Sequence, residues 1–145
     1  MYSADFSRNP FYADYVIYSP GVVVFRDDDG ILLDKPYLCS VITSPAVHAA
    51  AVYHYMPQRT GEIENAMWNR ILKLFAVALL HAHNSLVLGA WGCGAFGNDG
   101  NMVASLFRTA LAENFGGVFE RIAFAIAEIH IQLAKRPNIL RCKPQ

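Results

Sequence analysis

A chain of 145 residues, 54% hydrophobic and 17% charged with a mean hydropathy of +0.23, has the size of one domain, and roughly two-thirds of its unfolded surface can be buried in a single core. Its 12 basic and 12 acidic residues cancel, so no net field draws it to nucleic acid or to an anionic membrane, and an anionic ligand has to be held locally. No run approaches the roughly 18 apolar residues of a membrane span, and the opening stretch from Met1 to Phe6 lacks the basic and apolar succession of a targeting signal, so a soluble, cytoplasmic protein is expected.

In chain order, residues 14–20 (DYVIYSP) carry a β-branched and aromatic run that Pro20 and Gly21 end, which predicts a first strand. Residues 22–26 (VVVFR) predict a second, and the Asp29-Gly30 step turns it toward Ile31, Leu32 and Leu33 as a small surface hairpin. Residues 38–43 (LCSVIT) form a nearly continuous apolar run that reads as a buried strand ending at Ser44-Pro45. Loops at such strand ends bind ligands in open α/β sheets. Residues 46–59 give only a weak helical turn or two.

From 62 to 83 the apolar positions Ile63, Met67, Ile71, Leu74 and Ala78 recur every three or four residues and share one face of a long helix, with Asn84 as its left-handed stop. Residues 85–88 (SLVL) predict a short buried strand, 89–100 a glycine-rich loop, and 101–114 a helix with Val103, Leu106, Phe107 and Leu111 on one face. Phe115-Gly116-Gly117 breaks that helix, and 121–127 (RIAFAIA) is the last strand, followed by an irregular tail from 135 to 145. This order predicts an α/β protein with a mixed, mostly parallel sheet flanked by helices.

The chemistry concentrates in one loop, Leu88-Gly89-Ala90-Trp91-Gly92-Cys93-Gly94-Ala95-Phe96-Gly97-Asn98-Asp99. Glycines let a loop adopt positive φ and turn its N–H groups inward, and a helix following the loop adds the positive end of its dipole, so a phosphate is the natural guest. Two other readings stand beside it. The glycines relieve crowding in a tight strand-to-helix connection; or Gly92, Gly94 and Gly97, which satisfy GxGxxG, open a dinucleotide-binding unit with Glu128 as the ribose acid. Against the second, only one helix and one strand follow before the tail.

Other reactive residues give weaker patterns. The three cysteines, Cys39, Cys93 and Cys142, are widely spaced without a CxxC pair, which predicts reduced thiols and no zinc site, and Cys93 has no base nearby in sequence. Glu62 and Glu64 sit at a predicted helix start, where the dipole favours acids. His81 and His83, two apart on a helix, do not face each other and make a poor metal pair. No metal and no cofactor is expected.

The runs LGAWGCGAFGND, VIYSPGVVVFRDDDG and SVITSPAV together resemble the microbial-type poly(ADP-ribose) glycohydrolase family, over residues 15–127. The resemblance implies a macrodomain, a mixed sheet between helices that binds ADP-ribose. It further implies that Gly92, Cys93, Gly94, Ala95, Phe96, Gly97 and Asn98 surround the pyrophosphate, with Phe96 beside the distal ribose. Ser44, Pro45 and Ala46 are then candidates for the pocket rim, although the family more often carries Asn where this chain has His48.

A larger departure is that the family's catalytic signature, a triple-glycine loop followed by a Gln-Glu-Glu triplet, has no counterpart in the 145 residues, so no catalytic residue is assigned. Cleavage of an ADP-ribose linkage needs a carboxyl group to protonate the departing oxygen. The expectation is a single partial macrodomain, 1–145, whose first strands are missing and which self-associates or takes a complementary chain. Three readings follow: an ADP-ribose-binding module without hydrolysis, a split glycohydrolase, and an assembly protein with a vestigial pocket.

Overall fold

The computed structural model describes residues 9–126. The predicted tail, Glu128, Cys142 and the opening residues 1–6 lie outside them. The elements are β1 (Ile17–Arg26), β2 (Leu32–Thr43), α1 (Ala49–Tyr55), a 3-10 turn (Pro57–Glu62), α2 (Ile63–Leu80), β3 (Ser85–Gly89), α3 (Gly100–Glu113) and β4 (Arg121–Ala125).

The helical stripe organises the core. Met67, Ile71, Phe75 and Ala78 of α2 are fully buried against Val103, Phe107 and Ala110 of α3, with Val47, Ala49 and Val52 closing one end. All five positions of the predicted α2 stripe are in this core. One residue on the same side is charged: Arg70, 3% exposed.

The strands differ from the prediction. Residues 14–20 and 22–26 do not form two strands, because Pro20 and Gly21 are absorbed into β1 as a register shift between Ser19 and Val22, with Gly21 at φ +62°. The hairpin turn at residues 27–30 forms as predicted, Asp27 Oδ1 accepting from the Asp29 and Ile31 amides. Its return strand, however, runs on to Thr43. The separate buried strand predicted at 38–43 is the second half of β2, antiparallel to β1 from Ile17 opposite Thr43 to Arg26 opposite Leu32.

The mostly parallel sheet is likewise not what the described residues form. They make two separate ladders, the long antiparallel β1–β2 pair and a short parallel β3–β4 pair running from Ser85 opposite Arg121 to Gly89 opposite Ala125. Among the described residues no strand residue is fully buried: Leu38 is 68% and Val87 77% exposed. The physical reason is that a two-stranded ladder, all that the described residues form on either side, is too narrow to bury a face, so its apolar residues stay partly open.

α2 also ends differently. Ala82, at φ +57°, takes the left-handed position expected of Asn84, with the His83 amide donating to the Ala78 carbonyl and the Ala82 amide to Leu79. His81 and His83 thus lie beyond the helix, and both meet Tyr18 of β1: its ring stacks on His81 at 3.6 Å and its hydroxyl lies 2.8 Å from His83 Nε2. No helix among the described residues is long and apolar enough to cross a membrane.

Candidate functional site

The glycine loop leaves β3 and returns into α3, folded by its own hydrogen bonds. The Cys93 amide donates to Ala90, Gly97 to Gly94, and Asn98 to Gly92, which makes two successive tight turns. Gly92 has φ +74°, and a Cβ there would stand 2.6 Å from both the Ala46 Cβ and Asn98 Nδ2, so only glycine fits. Asn98, 5% exposed, fastens the loop: its Nδ2 donates to the Val47 carbonyl at 2.7 Å and to Gly92 at 3.0 Å.

The loop is docked on the start of α1. The Ala50 amide donates to the Phe96 carbonyl at 3.0 Å, and His48 Nδ1 caps the helix by accepting from Ala51. The His48 ring stacks on Phe96 at 4.6 Å and 13°, and Tyr12 on Phe96 at 5.7 Å and 19°. The Trp91 indole donates to the Ser44 carbonyl at 3.1 Å, tying the loop to the end of β2.

These segments enclose an open cavity of about 420 Å³ lined by Tyr12, Ser44, Pro45, Ala46, Trp91, Gly92, Gly94, Ala95 and Phe96. The volume is in the usual range of small-molecule sites. The cavity thus joins the rim residues Ser44, Pro45 and Ala46 to the loop residues Gly92, Gly94, Ala95 and Phe96. Cys93, Gly97 and Asn98 do not line it; Gly97, at φ +68° and with a Cβ position 3.2 Å from Ala50, and Asn98 shape the loop from behind.

Among the described residues, no charged side chain lines the cavity, and the amides of Gly94, Ala95 and Phe96 donate to no acceptor. Three consecutive amides without a protein acceptor, beside a cavity in a glycine-rich turn, leave donors that an anion can use. At the start of α3 two amide donors are already taken, because the Asp99 carboxylate accepts from Asn101 and Met102. A carboxylate there satisfies the donors that an anion would otherwise use.

Comparison with known proteins places the chain by structure rather than by family model. No family model and no curated protein matches it. Among solved structures, the poly(ADP-ribose) glycohydrolase of Deinococcus radiodurans in complex with ADP-ribose superposes with a TM-score of 0.83 at 40% identity, over 87% of this chain and 51% of that one. The glycohydrolase of Thermomonospora curvata bound to the inhibitor ADP-HPD gives 0.77 and 45% over 83% of this chain and 46% of that one. The fold is of the poly(ADP-ribose) glycohydrolase type. The chain spans about half the length of these relatives.

Within this glycohydrolase-type fold the other reactive residues are spoken for. Glu62 is paired with Arg59 through two hydrogen bonds of 2.9 and 2.7 Å, which hold its carboxyl below the ordinary range, the opposite of what a proton donor needs. Burial, and next the Asp99 carboxylate, push the Cys93 thiol up and away from nucleophilic thiolate. No group of three metal-binding side chains occurs among the described residues. Sequence reasoning missed Tyr12 and Trp91 in the cavity wall and Arg70 behind it; Trp91 stood inside the loop and was readable there.

Proposed function

We propose that the chain binds ADP-ribose, with the pyrophosphate on the Gly94, Ala95 and Phe96 amides and a ribose against Phe96. The observation that carries this reading is the run of three unbonded amides bordering a cavity between strand end and loop. These amides supply the attraction without any cationic side chain among the residues lining the cavity. That the similar Deinococcus radiodurans structure holds ADP-ribose supports the choice of ligand.

No carboxylate borders the cavity among the described residues, and the sequence has no Gln-Glu-Glu triplet, so binding proceeds without hydrolysis by this chain alone. A second reading, a glycohydrolase active only with a complementary chain, is favoured by one feature. Among the described residues β2 and β3 each pair along one edge, and a groove of about 790 Å³ is lined by Tyr37, Leu38, Cys39 and Ser40 of the one and Ser85 to Leu88 of the other. Strands supplied from elsewhere would satisfy the second edge of each.

Calorimetric titration with ADP-ribose, with AMP as control and a Gly94→Glu variant, tests the first reading. A Cβ at Gly94 meets open space, so the variant folds while its carboxylate fills and repels the anion site. Binding lost in the variant supports the loop as the pyrophosphate site; binding equal in both proteins refutes it. Release of ADP-ribose from a modified substrate by the purified chain alone would overturn the non-hydrolytic reading.

A further inference from the structure

Tyr12 has an unusual backbone. At φ +55° it occupies the left-handed region, which a bulky aromatic residue rarely enters, and such a conformation persists only where the surroundings impose it. Around residues 9–14 they do. The Tyr12 amide closes a turn onto the Asn9 carbonyl at 3.0 Å, and the His48 amide holds the Pro10 carbonyl at 2.9 Å.

The remaining restraint comes from α2. Arg70 donates through one terminal nitrogen to the Phe11 carbonyl, immediately before Tyr12, and through Nε to Asp14 Oδ1 at 2.9 Å, two residues after it. Its other terminal nitrogen donates to the Pro45 carbonyl at 3.1 Å. Lys73 adds bonds of 2.7 Å to both the Asp14 carbonyl and its Oδ2. One guanidinium therefore fixes both the peptide leading into Tyr12 and the Pro45 carbonyl, at two walls of the same cavity that lie 33 positions apart in the chain.

A buried charge is costly unless every donor is used, and a planar fork with three separated acceptors is a task lysine cannot perform. The geometry points to a division of labour, resting on the ADP-ribose reading above: Tyr12 contacts the ribose on the Phe96 side of the pyrophosphate, and Arg70 is the positioning residue that holds it there. Tyr12 stacks offset on the Phe96 ring, the two rings lying 19° from parallel with centroids 5.7 Å apart, so both border the cavity. An aromatic ring face takes the face of a sugar.

The test has two arms on the full chain. In the first, ADP-ribose is titrated into the wild type and into the Gly94→Glu, Tyr12→Leu, Arg70→Gln and Asp14→Asn variants. Loss of one aromatic contact predicts roughly tenfold weaker binding for Tyr12→Leu. Arg70→Gln weakens similarly and Asp14→Asn less, since Asp14 holds one arm of the fork. In the second arm, without ligand, NMR follows the Tyr12 Cα shift, which reports positive φ, and the ring-current shift of Phe96, with Phe75 in the helical core as the reference.

Arg70→Gln or Asp14→Asn shifting Tyr12 and Phe96 but not Phe75 supports the clamp; unchanged signals in a folded Asp14→Asn and Arg70→Gln pair overturn it. If Gly94→Glu abolishes binding while Tyr12→Leu and Arg70→Gln bind as the wild type does, this inference fails and the loop reading stands. No binding by the wild type overturns the Tyr12 contact together with the reading it rests on, and the ligand-free arm still decides the role of Arg70.

Discussion

Asn98 offers the most direct test of how the loop is held. Asn98→Ala deletes two donated hydrogen bonds, to Val47 at 2.7 Å and to Gly92 at 3.0 Å, while the backbone bond from Asn98 to Gly92 survives. At about 1 kcal/mol for each side-chain bond, with a further fraction for the buried carbonyl deprived of its donor, the loss is about 2–3 kcal/mol. Asn98→Asp is more severe at neutral pH, because it sets a carboxylate against the two carbonyl oxygens that the amide now serves. We expect about 1 kcal/mol or more beyond the alanine variant. Urea unfolding at pH 7 followed by tryptophan fluorescence measures both, an unchanged denaturant dependence showing that only stability has moved. An Asn98→Asp protein as stable as the wild type would refute the assignment of Nδ2 as the donor that fastens the loop.

Ala82→Gly should stabilise the chain by roughly 0.5–1 kcal/mol, since Ala82 sits at positive φ in the cap of α2; a thermal melt should rise by roughly 2–4 °C, and no rise would count against the cap geometry. Lys73, with Arg70 adding to it and burial opposing, holds the Asp14 carboxyl below its ordinary range. The stability it contributes is therefore complete above the unfolded value near pH 4 and is lost as pH falls through the depressed folded value. Because Asp14 is half exposed the effect is small and salt-sensitive, and melts from neutral to strongly acidic pH should be flatter for Asp14→Asn than for the wild type. Asp99→Asn removes one of the two influences that raise the Cys93 thiol, so iodoacetamide should modify Cys93 faster in the variant at pH 7.5, as read by peptide mass spectrometry; an unchanged rate would mean that burial alone governs it.

The helical half of the molecule was legible because its signal is local. Ile63, Met67, Ile71, Leu74 and Ala78 repeat at the helical period, and every one is buried where that period places it. Strand pairing was not legible. Whether 38–43 starts a new strand or continues an old one depends on partners in β1 that lie 15 to 26 residues earlier, and the residues of β2 read equally well as two short strands.

Within the site, the loop and the Ser44-Pro45-Ala46 turn were singled out by glycine spacing and by resemblance, and they border one cavity. Tyr12 and Arg70 were not, since Arg70 reaches the Phe11 carbonyl across 59 positions. A signal existed: Arg70 follows Met67 by three and precedes Leu74 by four, so a charge sat on the apolar stripe. Asp99 ends the predicted phosphate loop, whereas an acid directly before a helix is first of all a cap.

Trp91 gives the cavity its own optical reporter. Its indole lines the space beside Gly92 and Gly94 and is held in orientation by the Ser44 carbonyl, whereas Trp68 packs against the helical core. An occupant of the cavity displaces solvent from one indole and leaves the other untouched, so the emission spectrum of the unlabelled protein divides into a responsive and a constant part, and Trp68→Phe isolates the first.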